Sequence, residues 1–286
     1  MPVKWDQIPS KSMQKKHDFM QQGTASLTPR RNRYRRALLW VGVLSAVLAL
    51  PLQAQTKVKI AAASNLKFVL ADLTEQYRQQ TGVVVEVNLG ASGNLARQIL
   101  QGLPVEQFIS ADEERVAELV KAGRTLDAGE RYATGRLAVV VPKNSALPVR
   151  QGLAAVVRGL QPSDKFALAN PALAPYGLAA EQALKSAGVT ELQSRQKVLG
   201  DNIGQTTQFV ATGAAQAGIT ALALAKAPEM ADLLQWAPLP ESMHAPLHQS
   251  MVLLKGASPA AVAWQRFLRS PKAQAVFVQQ GYALPQ

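Results

Sequence analysis

From Thr56 onward, short apolar runs alternate with longer segments whose apolar residues recur at helical spacing. A strand covered on both faces reads as a continuous apolar run, and a helix laid on a sheet carries one apolar stripe, so this order points to an α/β fold. The runs predict strands at 57–61, 83–87, 107–109, 137–142, 166–169, 197–199, 217–219 and 251–254. Helices are predicted at 66–79, 95–101, 112–122, 178–187, 206–211, 260–268 and 271–279, the first with Leu66, Val69, Leu70, Leu73 and Tyr77 on one stripe. The helix at 112 opens with Asp112, Glu113 and Glu114, which suit its positive end. Two αβ lobes follow from this order. Lobe I comprises residues 56–137 plus 241–286 and lobe II residues 138–240, although a single larger sheet would give the same local pattern. No internal repeat period stands out.

The formal charge of +12 is unevenly spread. Nine of the 31 Lys/Arg and two of the 19 Asp/Glu lie in residues 1–54, leaving 22 basic and 17 acidic residues over the rest of the chain. There the signs are interspersed, which argues against a nucleic-acid partner. The basic stretch Arg30-Arg31-Asn32-Arg33-Tyr34-Arg35-Arg36, the apolar run 37–50 and Pro51-Leu52-Gln53-Ala54 have the layout of an export signal, with cleavage expected after Ala54. The apolar run is too short for the roughly 20 residues that span a bilayer as a helix. Met20 is a second candidate start, and the paired arginines point weakly to twin-arginine export. Cysteine is absent, which removes disulfides, thiol nucleophiles and lipid attachment through Cys. A protein free in the periplasm is the expectation.

Catalytic constellations are hard to assemble from this sequence. His244 and His248 have the i, i+4 spacing of a zinc helix but enclose Ala245-Pro246-Leu247, and proline opposes a helix there. A solvated loop is expected instead, with no metal ligands. Ser92 sits in no G-x-S-x-G elbow, and no phosphate-cradling P-loop is present. Enzyme activity is therefore not expected.

Four strand-to-helix turns carry small or neutral polar residues where a helix begins: Ala63-Ser64-Asn65, Gly90-Ala91-Ser92-Gly93-Asn94, Pro175-Tyr176-Gly177 and Gly200-Asp201-Asn202-Ile203-Gly204. A helix start leaves backbone N–H groups unpaired at its positive end, which is a preformed anion site. Any one of these turns could be an ordinary cap. Four of them at the same end of their strands could converge on one cleft, since ligands in open α/β sheets sit beyond the carboxyl ends of the strands. Nearly all the donors are neutral. Such a site favours a fully ionised dianion over an anion that still carries a proton, because the bound O–H would find only other donors.

At these same residues the sequence resembles the periplasmic molybdate-binding proteins of ABC transporters, over essentially the whole chain after the leader. The resemblance rests on Ala61-Ala62-Ala63-Ser64-Asn65-Leu66, on 91–99, on Phe108-Ile109-Ser110-Ala111-Asp112, on Asn170-Pro171 with Ala174-Pro175-Tyr176-Gly177, and on 200–206. It implies a type II periplasmic binding protein, two αβ lobes joined by a hinge with the ligand in the interlobe cleft. It further implies that Ser64 and Ser92 bind a molybdate or tungstate ion through hydroxyl and backbone N–H. Asn65 would add donors, and Tyr176 and Ile203 would supply backbone N–H groups from the second lobe, with the Tyr176 ring free to be a lobe-surface aromatic. Many members place a Tyr hydroxyl on the ion from the segment after Gly218-Ile219-Thr220. Here Ala221 stands there, and its role is assigned to Asn65. The implied partners are the membrane permease subunits of an ABC transporter, with no cofactor and a monomeric state. Sulfate or thiosulfate is the rival ligand on the same fold. An organic acid would call for an arginine, and Arg97, the only one near a proposed loop, is expected on a helix surface.

Overall fold

The computed structural model describes residues 55–189, 192 and 196–285. The expected export signal at 1–54 lies outside the described residues. Two five-stranded mixed sheets organise the rest. The first contains β1 (Lys57–Ala63), β2 (Val84–Gly90), β3 (Gln107–Ile109), β4 (Glu130–Gly135) and β10 (Leu247–Leu253), in the order β2-β1-β3-β10-β4. The second contains β5 (Leu137–Pro142), β6 (Phe166–Ala169), β7 (Lys197–Gly200), β8 (Ala217–Ala221) and β9 (Leu234–Pro238), in the order β7-β6-β8-β5-β9. In each sheet three strands run parallel, and a fourth inserted from elsewhere in the chain pairs antiparallel with one of them. The arrangement thus occurs twice without a sequence repeat.

Helices follow the parallel strands. In the first lobe these are α1 (Lys67–Thr81), entered through a short 3-10 turn at Ser64–Leu66, then α2 (Ser92–Leu100) and α3 (Glu114–Lys121). The second lobe carries α4 (Leu153–Arg158), α5 (Pro175–Ser186), α6 (Ile203–Ala211) and α7 (Leu222–Lys226), and the chain ends in α8 (Pro259–Leu268) and α9 (Pro271–Gln279) on the first. Burial explains the sequence pattern. Val58, Ile60 and Ala62 of β1 pack with Leu66, Val69, Leu70, Leu73 and Tyr77, and with Trp264 of α8. Ala61 faces the opposite side, against Phe108, Leu95 and Leu119. β1 is covered on both faces, so its apolar residues run on instead of alternating. Among the described residues two connections join the sheets, at Arg136 between β4 and β5 and at the segment between β9 and β10.

The expected strands at 107–109, 137–142 and 166–169 are present with those limits, whereas three helices begin three residues before the apolar stripe that predicts them. α2 begins at Ser92 instead of 95, α5 at Pro175 instead of 178, and α6 at Ile203 instead of 206. A stripe registers only side chains that reach the core, while the first turn of each of these helices faces the other lobe. Strands β4 and β9 and helices α4 and α7 have no counterpart in the sequence reading, because Glu130–Gly135 and Leu234–Pro238 mix polar with apolar residues and both helices are short. The His pair is not helical: His248 lies in β10, and among the described residues no cluster suits a metal ion. His244 is buried with its Nδ1 2.8 Å from Ala245 O, so the expected solvated loop is corrected at that residue.

Candidate functional site

The four turns lie at the carboxyl ends of β1, β2, β6 and β7, and the first turns of the helices they open meet across the lobes. Ser64 Oγ accepts a hydrogen bond from Gly204 N–H of α6 at 3.2 Å. Gly93 N–H of α2 donates to Leu173 O of the second lobe at 3.0 Å. A Cβ at Gly93 would sit 3.0 Å from that carbonyl oxygen, so glycine permits the approach. Ala63, Ala91 and Ala111 of the first lobe pack in one cluster with Ala174, Tyr176 and Ile203 of the second. The lobes are therefore shut on one another at these turns.

Ser92 is the first residue of α2, and Tyr176 and Ile203 stand at the first turns of α5 and α6, so their N–H groups have no partner within their helices. Pro175 fits the first position of α5 because its missing N–H would be unpaired anyway. Asn202 caps α6, its Oδ1 accepting from Gln205 N–H at 3.0 Å. That bond holds the next residue, Ile203, with its N–H at the helix's positive end.

Ser92 is 1% exposed, and its Oγ accepts from Ala111 N–H at 3.0 Å. With one lone pair so engaged, the hydroxyl hydrogen is left to donate elsewhere. Ser64 has the same character, since its Oγ already accepts from Gly204. Asn65 departs from the sequence expectation. Its Nδ2 donates to Gln249 Oε1 at 3.0 Å and to Tyr282 Oη at 3.0 Å, both in the first lobe, while its buried Oδ1 meets no partner. As oriented, the side chain spends its two amide hydrogens inside the protein and presents none to the cleft. The Tyr176 ring, which the resemblance left free to lie on the lobe surface, is 1% exposed. The phenol accepts from Gln249 Nε2 at 2.8 Å, and burial raises its pKa.

The remaining expectations fall into place by burial. Ala221 ends β8 with no exposed surface and offers only a methyl group where a hydroxyl was missing. Arg97 is exposed and its guanidinium pairs with Asn94 on its own helix. Asp112 Oδ1 accepts from Arg115 N–H at 3.1 Å and from Ser110 Oγ at 2.9 Å, a helix-start role, and burial raises its pKa despite these bonds. The sequence reading missed Gln249, which meets both Asn65 and the second lobe's Tyr176, together with Tyr282, which meets Asn65, and Tyr132, which meets Gln249. The polar run His248-Gln249-Ser250 directly ahead of the apolar Met251-Val252-Leu253 in one strand was the available signal.

Comparison with known proteins identifies the family of the chain and matches its fold. Residues 58–283 match the family model described as bacterial extracellular solute-binding protein. The chain is 36% identical over 251 residues to the molybdate-binding protein ModA of Azotobacter vinelandii, covering 86% of this chain and 97% of that protein. It is 34% identical over 244 residues to ModA of Rhodobacter capsulatus, covering 84% and 93%. The solved structure of the Azotobacter vinelandii periplasmic molybdate-binding protein superposes with a TM-score of 0.73 at 32% identity, over 80% of this chain and all of that one.

Proposed function

The chain belongs to the bacterial extracellular solute-binding protein family, and from that membership we propose that it captures molybdate or tungstate in the periplasm and delivers it to the permease subunits of an ABC importer. Its two αβ lobes have the type II periplasmic binding protein arrangement. The protein binds and carries; it is not an enzyme. It acts as a monomer, and the ion is its cargo, not a cofactor.

The observation that carries the ligand reading is the meeting of helix first turns from both lobes. Ser64 and Ser92 offer hydroxyl hydrogens whose oxygens are already fixed by backbone N–H groups. Ser92, Tyr176 and Ile203 offer backbone N–H groups at positive helix ends. None of these donors carries a charge. A dianion gains a donor on each oxygen, whereas a protonated oxyanion would direct its own O–H at a donor. Contacts from Tyr176 and Ile203 reach an ion held on the first lobe only when the lobes shut, so binding draws the open form into the closed one.

Calorimetric titration of the purified protein with molybdate, tungstate, sulfate and phosphate in parallel tests this reading. Tight one-to-one binding of molybdate or tungstate is expected, with sulfate weaker and phosphate weakest. Tight sulfate binding would assign the site to the rival ligand, and phosphate outcompeting molybdate would defeat the reasoning from neutral donors.

A further inference from the structure

Behind the candidate site, five side chains form a polar network with little access to water. Gln249, with no exposed surface, sits where the pairing of β10 with β4 slips by a residue between Gln249 and Ser250, an irregularity that re-aims side chains. Its amide touches three groups: Tyr132 Oη at 2.6 Å, Asn65 Nδ2 at 3.0 Å and, in the other lobe, Tyr176 Oη at 2.8 Å. Gly135 makes room for this bridge, since a Cβ there would lie 2.3 Å from Tyr176 Oη and 2.4 Å from Gln249 Nε2. Tyr282 closes the network by donating to Asn65 O at 2.9 Å.

In this orientation two groups are left over. Asn65 Oδ1 is buried without a donor, and among the described contacts the Tyr176 hydroxyl only accepts, so its hydrogen has no acceptor. Turning both amides by half a turn exchanges their oxygen and nitrogen positions at the same distances. Tyr176 then donates to Gln249 Oε1, while Gln249 Nε2 donates to Asn65 Oδ1 and Tyr132 Oη. Tyr132 donates to Ser110 O, 3.1 Å away, and Tyr282 shares its hydrogen between Asn65 O and Oδ1. One group remains unpaired, and it is now a donor: Asn65 Nδ2, beside Ser64 in the first turn of the site.

We propose that Gln249 is a positioning residue for oxyanion binding: it holds the Asn65 amide with its nitrogen toward the ion, and the Tyr176 hydroxyl of the second lobe fixes Gln249 in that orientation. This rests on the function proposed above and adds a route by which closure sets a donor of the opposite lobe. Loss of Gln249 removes the reason for Asn65 to point one way, and loss of the Tyr176 hydroxyl removes the reason for Gln249 to do so.

A double-mutant cycle tests it, with sodium molybdate affinity read by calorimetry and folding read separately by melting temperature. Gln249→Met keeps the length of the side chain and removes its hydrogen bonds. The expected result is a tenfold or greater loss of affinity in Gln249→Met and in Asn65→Ala, with Asn65→Ala adding less than twofold once Gln249 is replaced. Losses that multiply would overturn the proposal, because a purely structural glutamine would act independently of Asn65, and so would unaltered affinity in Gln249→Met. Should that variant fail to fold, Tyr176→Phe, which deletes one oxygen, replaces it in the cycle with the same criterion. A parent protein that binds molybdate while the cycle is additive sinks this inference alone; a parent that binds no molybdate overturns the function reading together with it.

Discussion

Replacing Gly93 by alanine separates closing of the lobes from folding of the chain. Gly93 is the second residue of α2 and its φ is not positive, so the helix accepts a Cβ without strain. Alanine also restricts the unfolded chain, an effect worth about 0.4–1 kcal/mol in favour of the fold. The added methyl carbon would stand 3.0 Å from Leu173 O and 3.6 Å from Leu173 C and Cα, all backbone atoms of the opposite lobe. Backbone atoms give way less readily than the end of a side chain, and parting the lobes to relieve the contact also stretches the 3.0 Å bond from Gly93 N–H to that oxygen. Overpacking of this kind costs about 1–2 kcal/mol, and here only the closed form bears it. Molybdate affinity should fall roughly 5- to 30-fold. The ion-free protein, with its lobes free to part, should melt no lower than the parent and up to about 3 °C higher. Calorimetry with sodium molybdate and thermal unfolding without it read the two effects separately. Affinity within twofold of the parent would refute closure at this contact, and a melting temperature several degrees lower would show that the methyl group harms the fold itself.

Ser92→Ala should weaken molybdate binding by about 1–3 kcal/mol through loss of the hydroxyl donor, and should also lower the melting temperature because Ala111 N–H loses its acceptor; unchanged affinity would remove Ser92 from the site. Binding should be nearly flat between about pH 6 and 9, since no proposed donor ionises there, and calorimetry across that range would expose any titrating ligand. Stability should behave differently at high pH. Burial raises the pKa of Tyr132, Tyr176 and Tyr282. Above about pH 10 the unfolded chain therefore releases phenolic protons that the folded one keeps, so stability is fully present below that pH and declines as pH rises through and beyond it. Denaturant unfolding at pH 9, 10 and 11 checks the sign, and a stability that held level or rose would contradict it.

Much of the fold was legible because burial writes itself into composition. The strands read correctly to the residue, 107–109, 137–142 and 166–169, include no exposed position. β4 was invisible for the opposite reason: Glu130-Arg131-Tyr132-Ala133-Thr134-Gly135 lies at an edge of its sheet and carries polar side chains that pair at the surface, as Arg131 does with Glu113. The candidate site was legible as turn chemistry, small and neutral residues at helix starts, but not as orientation. Nothing in Ser64-Asn65 tells that Asn65 looks inward to Gln249 and Tyr282, both more than 180 positions away along the chain. Tyr176 was readable as part of a helix start, while the fate of its ring depends on Gly135 leaving space for it, a long-range contact that no local pattern encodes.

A cleft lined by dipoles instead of cations suits a protein that must both seize an ion and let it go. A buried arginine would hold a dianion strongly when the lobes are shut, because two opposite charges attract steeply in a water-poor cleft and the first step of parting them is costly. Helix ends act otherwise. Each contributes on the order of 0.3–2 kcal/mol to a nearby anion, more when water is excluded, and its N–H groups are rehydrated readily once the cleft opens. In the proposed binding mode the second lobe adds the first turns of α5 and α6 only on closure, and through the Tyr176 hydroxyl and Gln249 it also sets the Asn65 donor. Affinity is thereby concentrated in the closed form, so any partner that prises the lobes apart removes several modest contacts at once and releases the ion without having to overcome a single strong one.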